Sequence, residues 1–176
     1  WLGTEHHPQP AVLSISQSTE MGTVYSVDEI AELCDVAHRA GLRVHVDGAR
    51  IANAVVATGA DLRGLLLEPG VDVLTFGLTK NGAMYGEAVV YLKPELASAA
   101  KYVRKQAGQL PSKARFVAAQ ISALLTDDLW LRNARHANDQ AVALAQRLDG
   151  VAGVSVPRPP EVNAVFAQVP ADRIAA

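Results

Sequence analysis

Cysteine is almost absent from this chain: Cys34 is the only one. That excludes an intramolecular disulfide and fits a reducing compartment, with a cytoplasmic location as the expectation. Aromatic residues are scarce too, at 5% against a hydrophobic share of 49%, which predicts a mostly aliphatic core. Neither sign of charge dominates. With 16 Lys and Arg against 18 Asp and Glu, the net charge of -2 gives no electrostatic footprint for nucleic acid. No apolar run approaches the roughly 18 to 20 residues needed to span a bilayer, so no membrane partner is expected. Residues 1–10 lack the basic start and apolar block of a secretory signal. Internal repeats and low-complexity tracts are missing as well.

What is present is a chain of 176 residues, long enough to bury one sizeable core. It opens on Trp1 rather than Met, which reads as a processed start or an internal piece of something longer. Residues 1–10 read as loop, and His6 and His7 have no Cys or carboxylate at ligand spacing, so no metal is expected. Residues 11–16 read as a strand, with Gln17, Ser18, Thr19 and Glu20 at its carboxyl end. Ser26 followed by Glu29 is a capping box, and apolar residues at 27, 30, 33, 34 and 37 keep a helical period that Gly41 closes. Cys34 falls on that apolar stripe and reads as a small core residue.

Strand 42–47 follows directly, and strand–helix–strand in this order predicts parallel pairing. Its alternation sets Leu42, Val44 and Val46 on one face and Arg43, His45 and Asp47 on the other. Parallel strands are usually apolar on both faces, so His45 and Asp47 break the local rule where functional sites tend to fall. A helix-like segment runs from 48 to 59 and a further short helix is expected over 61–69. Another strand over 71–76 precedes Lys80, and one more is expected over 88–92. Beyond Pro94 the pattern turns helical, over 95–107, 113–125 and 129–148. Pro157, Pro159 and Pro160 then separate two short segments, 154–156 and 163–169, read as the first strands of a second unit. The expected fold is α/β, a mostly parallel sheet with helices: residues 1–125 form the remainder of a large domain, and residues 126–176 a connecting helix and the beginning of a small one.

Ligands of open parallel sheets sit beyond the carboxyl ends of the strands, where Thr19, Asp47 and Lys80 all fall. A lysine amine can hold an aldehyde as a Schiff base, and pyridoxal phosphate is the common cofactor held that way. Its ring nitrogen needs a carboxylate partner, for which Asp47 is the candidate. Arg50 is placed to form a bidentate pair with a substrate carboxylate. The competing readings are a helix cap for Asp47, a surface residue for Arg50, a solvated loop lysine for Lys80 and a hydrogen-bonded structural role for His45.

Three motifs in order carry a family resemblance: Gln17 to Ser26 (QSTEMGTVYS), His45 to Ala54 (HVDGARIANA) and Phe76 to Gly82 (FGLTKNG). A later stretch, Arg104 to Phe116, adds to it. Together they resemble low-specificity L-threonine aldolases, fold-type I pyridoxal phosphate enzymes with an aspartate aminotransferase-like large domain. The resemblance implies Lys80 as the Schiff-base lysine, Asp47 as partner of the pyridine nitrogen and Arg50 as binder of the amino-acid carboxylate. It implies Thr19 and Gln17 as pocket-lining residues, and Lys105 near the cofactor, in a neighbouring subunit's site. The implied reaction is retro-aldol cleavage of L-threonine or L-allo-threonine to glycine and an aldehyde, by a homo-oligomer arranged as a dimer of dimers. It also implies that the phosphate-binding loop, a ring-stacking histidine and a second carboxylate-binding arginine lie outside this chain, so that the segment alone is expected to be inactive. A β-eliminating lyase or another fold-type I enzyme is the nearest alternative. A folded segment that binds no cofactor is the alternative of a different class.

Overall fold

A computed structural model describes residues 3–174. Its centre is a four-stranded sheet in the order β1 (Val12–Ser16), β2 (Arg43–Gly48), β3 (Val73–Gly77), β4 (Glu87–Tyr91). The first three strands are parallel and β4 is antiparallel to β3. The crossover between β1 and β2 is α1 (Val27–Arg39); α2 (Ile51–Thr58) follows β2. The register sets Ser14 beside His45, Ser16 beside Asp47, and Asp47 beside Thr75.

The two faces of the sheet differ as the alternation predicts. Val44, Val46, Leu74 and Phe76 point into a core closed by Ile30, Cys34 and Ala37 of α1 and Ile51, Ala54 and Val55 of α2. Trp130 packs edge-on against Phe76, with ring centroids 5.6 Å apart. The opposite face, with Ser14, His45, Asp47 and Thr75, stays half-buried or exposed. His45 ties three strands together there: its Nδ1 meets Ser14 Oγ at 2.7 Å and its Nε2 meets Thr75 Oγ1 at 2.8 Å. It has the hydrogen-bonded structural role.

Helix α1 begins with the expected capping box. Ser26 Oγ accepts from the Glu29 N–H at 3.2 Å, and Glu29 Oε2 accepts from the Ser26 N–H at 2.8 Å. The bond from the Ser26 N–H first, and then donation by the Ser26 hydroxyl to the same Glu29 Oε2 at 2.9 Å, hold the Glu29 carboxyl below its ordinary range. Cys34 is buried, and desolvation, reinforced by Asp72 and Asp35, pushes its thiol up to about 11.

Two expectations change. The helix expected over 61–69 is a single π turn, Arg63–Leu67, that buries Leu65 and Leu66. Gly64 within it and Pro69–Gly70 behind it deny the segment a longer helix. The two strands expected after residue 150 reduce to one isolated antiparallel bridge, Ser155 with Gln168. The prolines between them remove backbone donors from any longer ladder.

The long helix α5 (Leu129–Asp149) lies against α2, after α3 (Ala100–Gln106) and α4 (Arg115–Leu125). Its buried stripe is Trp130, Ala134, Asn138, Ala141 and Ala145, the period of an amphipathic helix. The tail beyond it returns to the loop after β1. Glu161 Oε2 accepts from the Val24 N–H at 2.8 Å, and Arg158 donates to the Met21 carbonyl at 3.0 Å.

Candidate active site at the carboxyl edge of the sheet

Because β1, β2 and β3 run parallel, their carboxyl ends deliver Thr19, Asp47 and Lys80 to one edge. The close approach there is made by glycine. A Cβ on Gly77, at the end of β3, would lie 2.5 Å from the Ala49 Cα. A Cβ on Gly48 would lie 2.6 Å from Leu74 Cδ1 and 2.7 Å from the Thr75 carbonyl oxygen. Only hydrogen fits at either position. The backbone after Asp47 and the backbone before Lys80 therefore pack directly on each other.

Asp47 is half-buried, and its Oδ1 accepts from the Ala49 N–H at 2.9 Å. This bond fixes the carboxylate across the turn and leaves Oδ2 without a hydrogen bond among the described residues. Asp47 is not the cap of α2, whose N-cap is Arg50, and no side chain caps that helix. Arg50 is half-buried, and its guanidinium has neither ion pair nor hydrogen bond among the described residues. Lys80 stands exposed in the 3-10 turn Thr79–Asn81, and its ammonium is likewise unpartnered among the described residues.

Thr19 is half-buried, and its hydroxyl is engaged within its own loop, 2.6 Å from Thr23 Oγ1. Gln17 is fully buried. Its amide clasps the Tyr25 backbone, donating to the carbonyl at 2.8 Å and accepting from the N–H at 3.1 Å. It shapes the loop that carries Thr19 and does not present its amide at the edge. The Gln17 N–H donates to the Asp47 carbonyl at 2.9 Å, which joins that loop to the end of β2. Ser18 Oγ, between them, is buried without a hydrogen-bond partner among the described residues. Lys105 lies elsewhere, on the exposed helix α3, which packs against the 3-10 turn Pro94–Ala97. Asp47, Arg50, Lys80 and Thr19 are thus brought to one edge, and Lys105 is not.

The turn bearing Lys80 is held by residues that periodicity did not single out. Asn81 Nδ2 donates to the Trp130 carbonyl at 2.9 Å, and Asn133 Nδ2 donates back to the Asn81 carbonyl at 2.9 Å. One turn further along α5, Asn138 Oδ1 accepts from Asn53 at 2.9 Å, and Asn138 Nδ2 donates to the Asn53 carbonyl at 3.1 Å. The available signal was Asn138 itself, a polar residue on an otherwise apolar helix stripe. These amides clamp α5 to both segments that frame the edge.

The family model described as Beta-eliminating lyase matches residues 2–172. The chain belongs to the beta-eliminating lyase family. Within that family it is 46% identical over 164 residues to the low specificity L-threonine aldolase of Pseudomonas aeruginosa, covering 93% of this chain and 47% of the relative. It is 43% identical over 164 residues to the enzyme of the same description from a Pseudomonas sp. strain. The chain thus spans about half the length of the curated relatives it matches. Its fold superposes on Leishmania major threonine aldolase with a TM-score of 0.82 and 30% identity, covering 94% of this chain and 48% of that one. A Listeria monocytogenes structure described as a putative L-allo-threonine aldolase shares the fold at a TM-score of 0.70. The architecture expected from sequence, a mostly parallel sheet of the fold-type I kind, is the one observed. No helix of the described residues is long and apolar enough to cross a membrane, and none of their His, Cys, Asp and Glu side chains group in threes or more to hold a metal ion.

Proposed function

We propose that this chain carries the lysine-bearing part of a pyridoxal phosphate site that cleaves L-threonine or L-allo-threonine to glycine and acetaldehyde. The observation that carries the reading is the gathering of one carboxylate and two unpartnered cations at a single sheet edge, around the contact between Gly77 and Ala49. Relatives described as low specificity L-threonine aldolases support the substrate class.

The donor set suits the cofactor. Asp47 keeps one oxygen for the Ala49 N–H and offers the other to the ring nitrogen as a charge-assisted acceptor. Lys80 offers a primary amine to the aldehyde carbon, and its exposure leaves room for it. When bound, pyridoxal phosphate supplies a ring that draws off the electron pair left on the substrate α-carbon. The chain's own residues bind and orient. Arg50 holds the substrate carboxylate through two parallel N–H donors, which fixes the rotation about the α-carbon. Thr19, braced by Thr23, lines the pocket wall, and Gln17 sets the shape of that wall from behind.

Residues 126–176 begin the smaller unit, and the working protein is a cytoplasmic homo-oligomer, a dimer of dimers in which Lys105 on exposed α3 serves a neighbouring subunit's site. The test is direct. The full-length protein supplied with pyridoxal phosphate should show the visible absorbance of the lysine-bound cofactor and lose it on Lys80→Ala. Persistence of that absorbance in the variant would remove Lys80 from its role. Glycine and acetaldehyde from threonine are the expected products. Pyruvate and ammonia from serine, in their place, would assign an eliminating lyase on the same scaffold.

A further inference from the structure

The side chain of Lys80 has nothing of its own to hold it. It is exposed and unpartnered among the described residues, and the 3-10 turn that bears it, Thr79–Asn81, has no side-chain cap. A lysine amine rides on a flexible four-carbon stem, so its reach is only as well defined as the backbone it leaves from. The turn's own bonds do little to fix that backbone. The Asn81 and Ala83 N–H groups reach the Leu78 carbonyl at 3.0 and 3.2 Å, and the Gly82 N–H reaches the Thr79 carbonyl only at 3.4 Å. All three close the turn on itself and none ties it to another element.

The first turn of α5 supplies that tie, on both sides of Lys80. Ahead of the lysine, the Trp130 ring packs on Phe76 with centroids 5.6 Å apart, and Leu78 is fully buried. Behind it, Asn81 Nδ2 donates to the Trp130 carbonyl and Asn133 Nδ2 donates to the Asn81 carbonyl, each at 2.9 Å. Asn133 crowds the next residue as well: a Cβ on Gly82, whose φ is +113°, would lie 3.3 Å from Asn133 Nδ2. Asn81 Oδ1 is buried with no hydrogen bond among the described residues, so the Asn81 side chain contributes through its N–H alone.

We propose that Asn133 is a positioning residue for Lys80. By holding the Asn81 carbonyl it sets the point from which the lysine amine reaches the cofactor aldehyde. This role rests on Lys80 being the lysine that holds pyridoxal phosphate. Without the Asn133 donor the backbone after Lys80 is free to pivot on buried Leu78, and the amine spends less time within reach of the aldehyde carbon. The loss falls on a rate more than on the fold, because Asn133 and Asn81 are half-buried and water can take the donor's place.

The experiment follows cofactor attachment rather than turnover. Cofactor-free full-length protein is mixed with saturating pyridoxal phosphate, and the rise of the visible absorbance of the lysine-bound cofactor is timed. Asn133→Ala should slow that rise by roughly tenfold or more. Asn133→Asp keeps the size of the side chain but presents no N–H to the Asn81 carbonyl, and should be slowed as much. Ala145→Gly is the control for stability. It weakens the interior of the same helix toward its other end, and should leave the rate within about twofold of the parent. Where Asn133→Ala fails to fold, Asn81→Ala, which removes the donor to the Trp130 carbonyl, takes its place with the same expectation. A parent-like rate in either Asn133 variant, or an equal slowing by Ala145→Gly, would overturn the role of Asn133 alone. Visible absorbance that survives Lys80→Ala would overturn the assignment of Lys80, and the role of Asn133 with it.

Discussion

Gly77 and Ala49 meet backbone to backbone: a Cβ built on Gly77 would stand 2.5 Å from the Ala49 Cα and 3.0 Å from its carbonyl oxygen. Through this one contact the end of β3 and the turn after β2 share a position. Lys80, three residues beyond Gly77, and Asp47, two residues before Ala49, are held on the same edge as a result.

Gly77→Ala should therefore be costly. The obstacle is main chain, which no rotamer change relieves, so the strands must separate. A loss of about 1 to 3 kcal/mol or more in unfolding free energy is expected, typical of overpacking. Chemical denaturation checks it, and a variant as stable as the parent would show that the turn yields freely.

The amide pair of Asn53 and Asn138 joins α2 to α5 inside the core. Asn53→Ala leaves Asn138 Oδ1 buried without its donor, at a cost of about 1 to 3 kcal/mol. Removing both side chains should cost less than the sum of the single changes. A double-mutant cycle measures this coupling, and additive losses would mean that the two amides act separately.

Asp72 sets an acid limit. Burial by itself raises its pKa, but the hydrogen bonds from His38 and the Val44 N–H, with the charges of His38 and Arg43, outweigh it and hold the carboxyl below its ordinary value. A depressed folded pKa stabilises the protein above the unfolded value near 3.9, and this contribution fades as pH falls through the folded one. The melting temperature should drop between roughly pH 5 and pH 3, more steeply than in Asp72→Asn. Parallel pH profiles for the two proteins would contradict the assignment.

Cys34, buried in the core with its thiol raised to about 11, should be inert. A disulfide reagent such as Ellman's is expected to modify it only after denaturant is added. Prompt stoichiometric reaction in native buffer would place the thiol at the surface.

Asp47→Asn should leave the turn intact, since the amide oxygen still accepts from the Ala49 N–H. In the full-length protein cofactor should remain bound, while threonine cleavage falls by roughly a hundredfold or more as the charge on the free oxygen is lost. Unaltered turnover would reduce Asp47 to a turn-forming residue.

The sequence by itself determined the elements whose signals are local. Ser26 and Glu29 mark the start of α1 because a capping box is complete within four residues. Alternation through Val44, His45, Val46 and Asp47 sorts the two sheet faces because side-chain direction reverses at every residue. Strand ends carrying Asp47 and Lys80 were legible for the same reason. Only the tertiary structure decided what depends on atoms distant in sequence. Gln17, read as a pocket residue, turns inward because the Tyr25 backbone supplies it with both a donor and an acceptor. The segments after residue 150 stop at one bridge, because strands need neighbours that composition cannot provide. Asn81, Asn133 and Asn138 clamp α5 beside the Lys80 turn through bonds that span about fifty residues or more, and no periodicity records such a pairing.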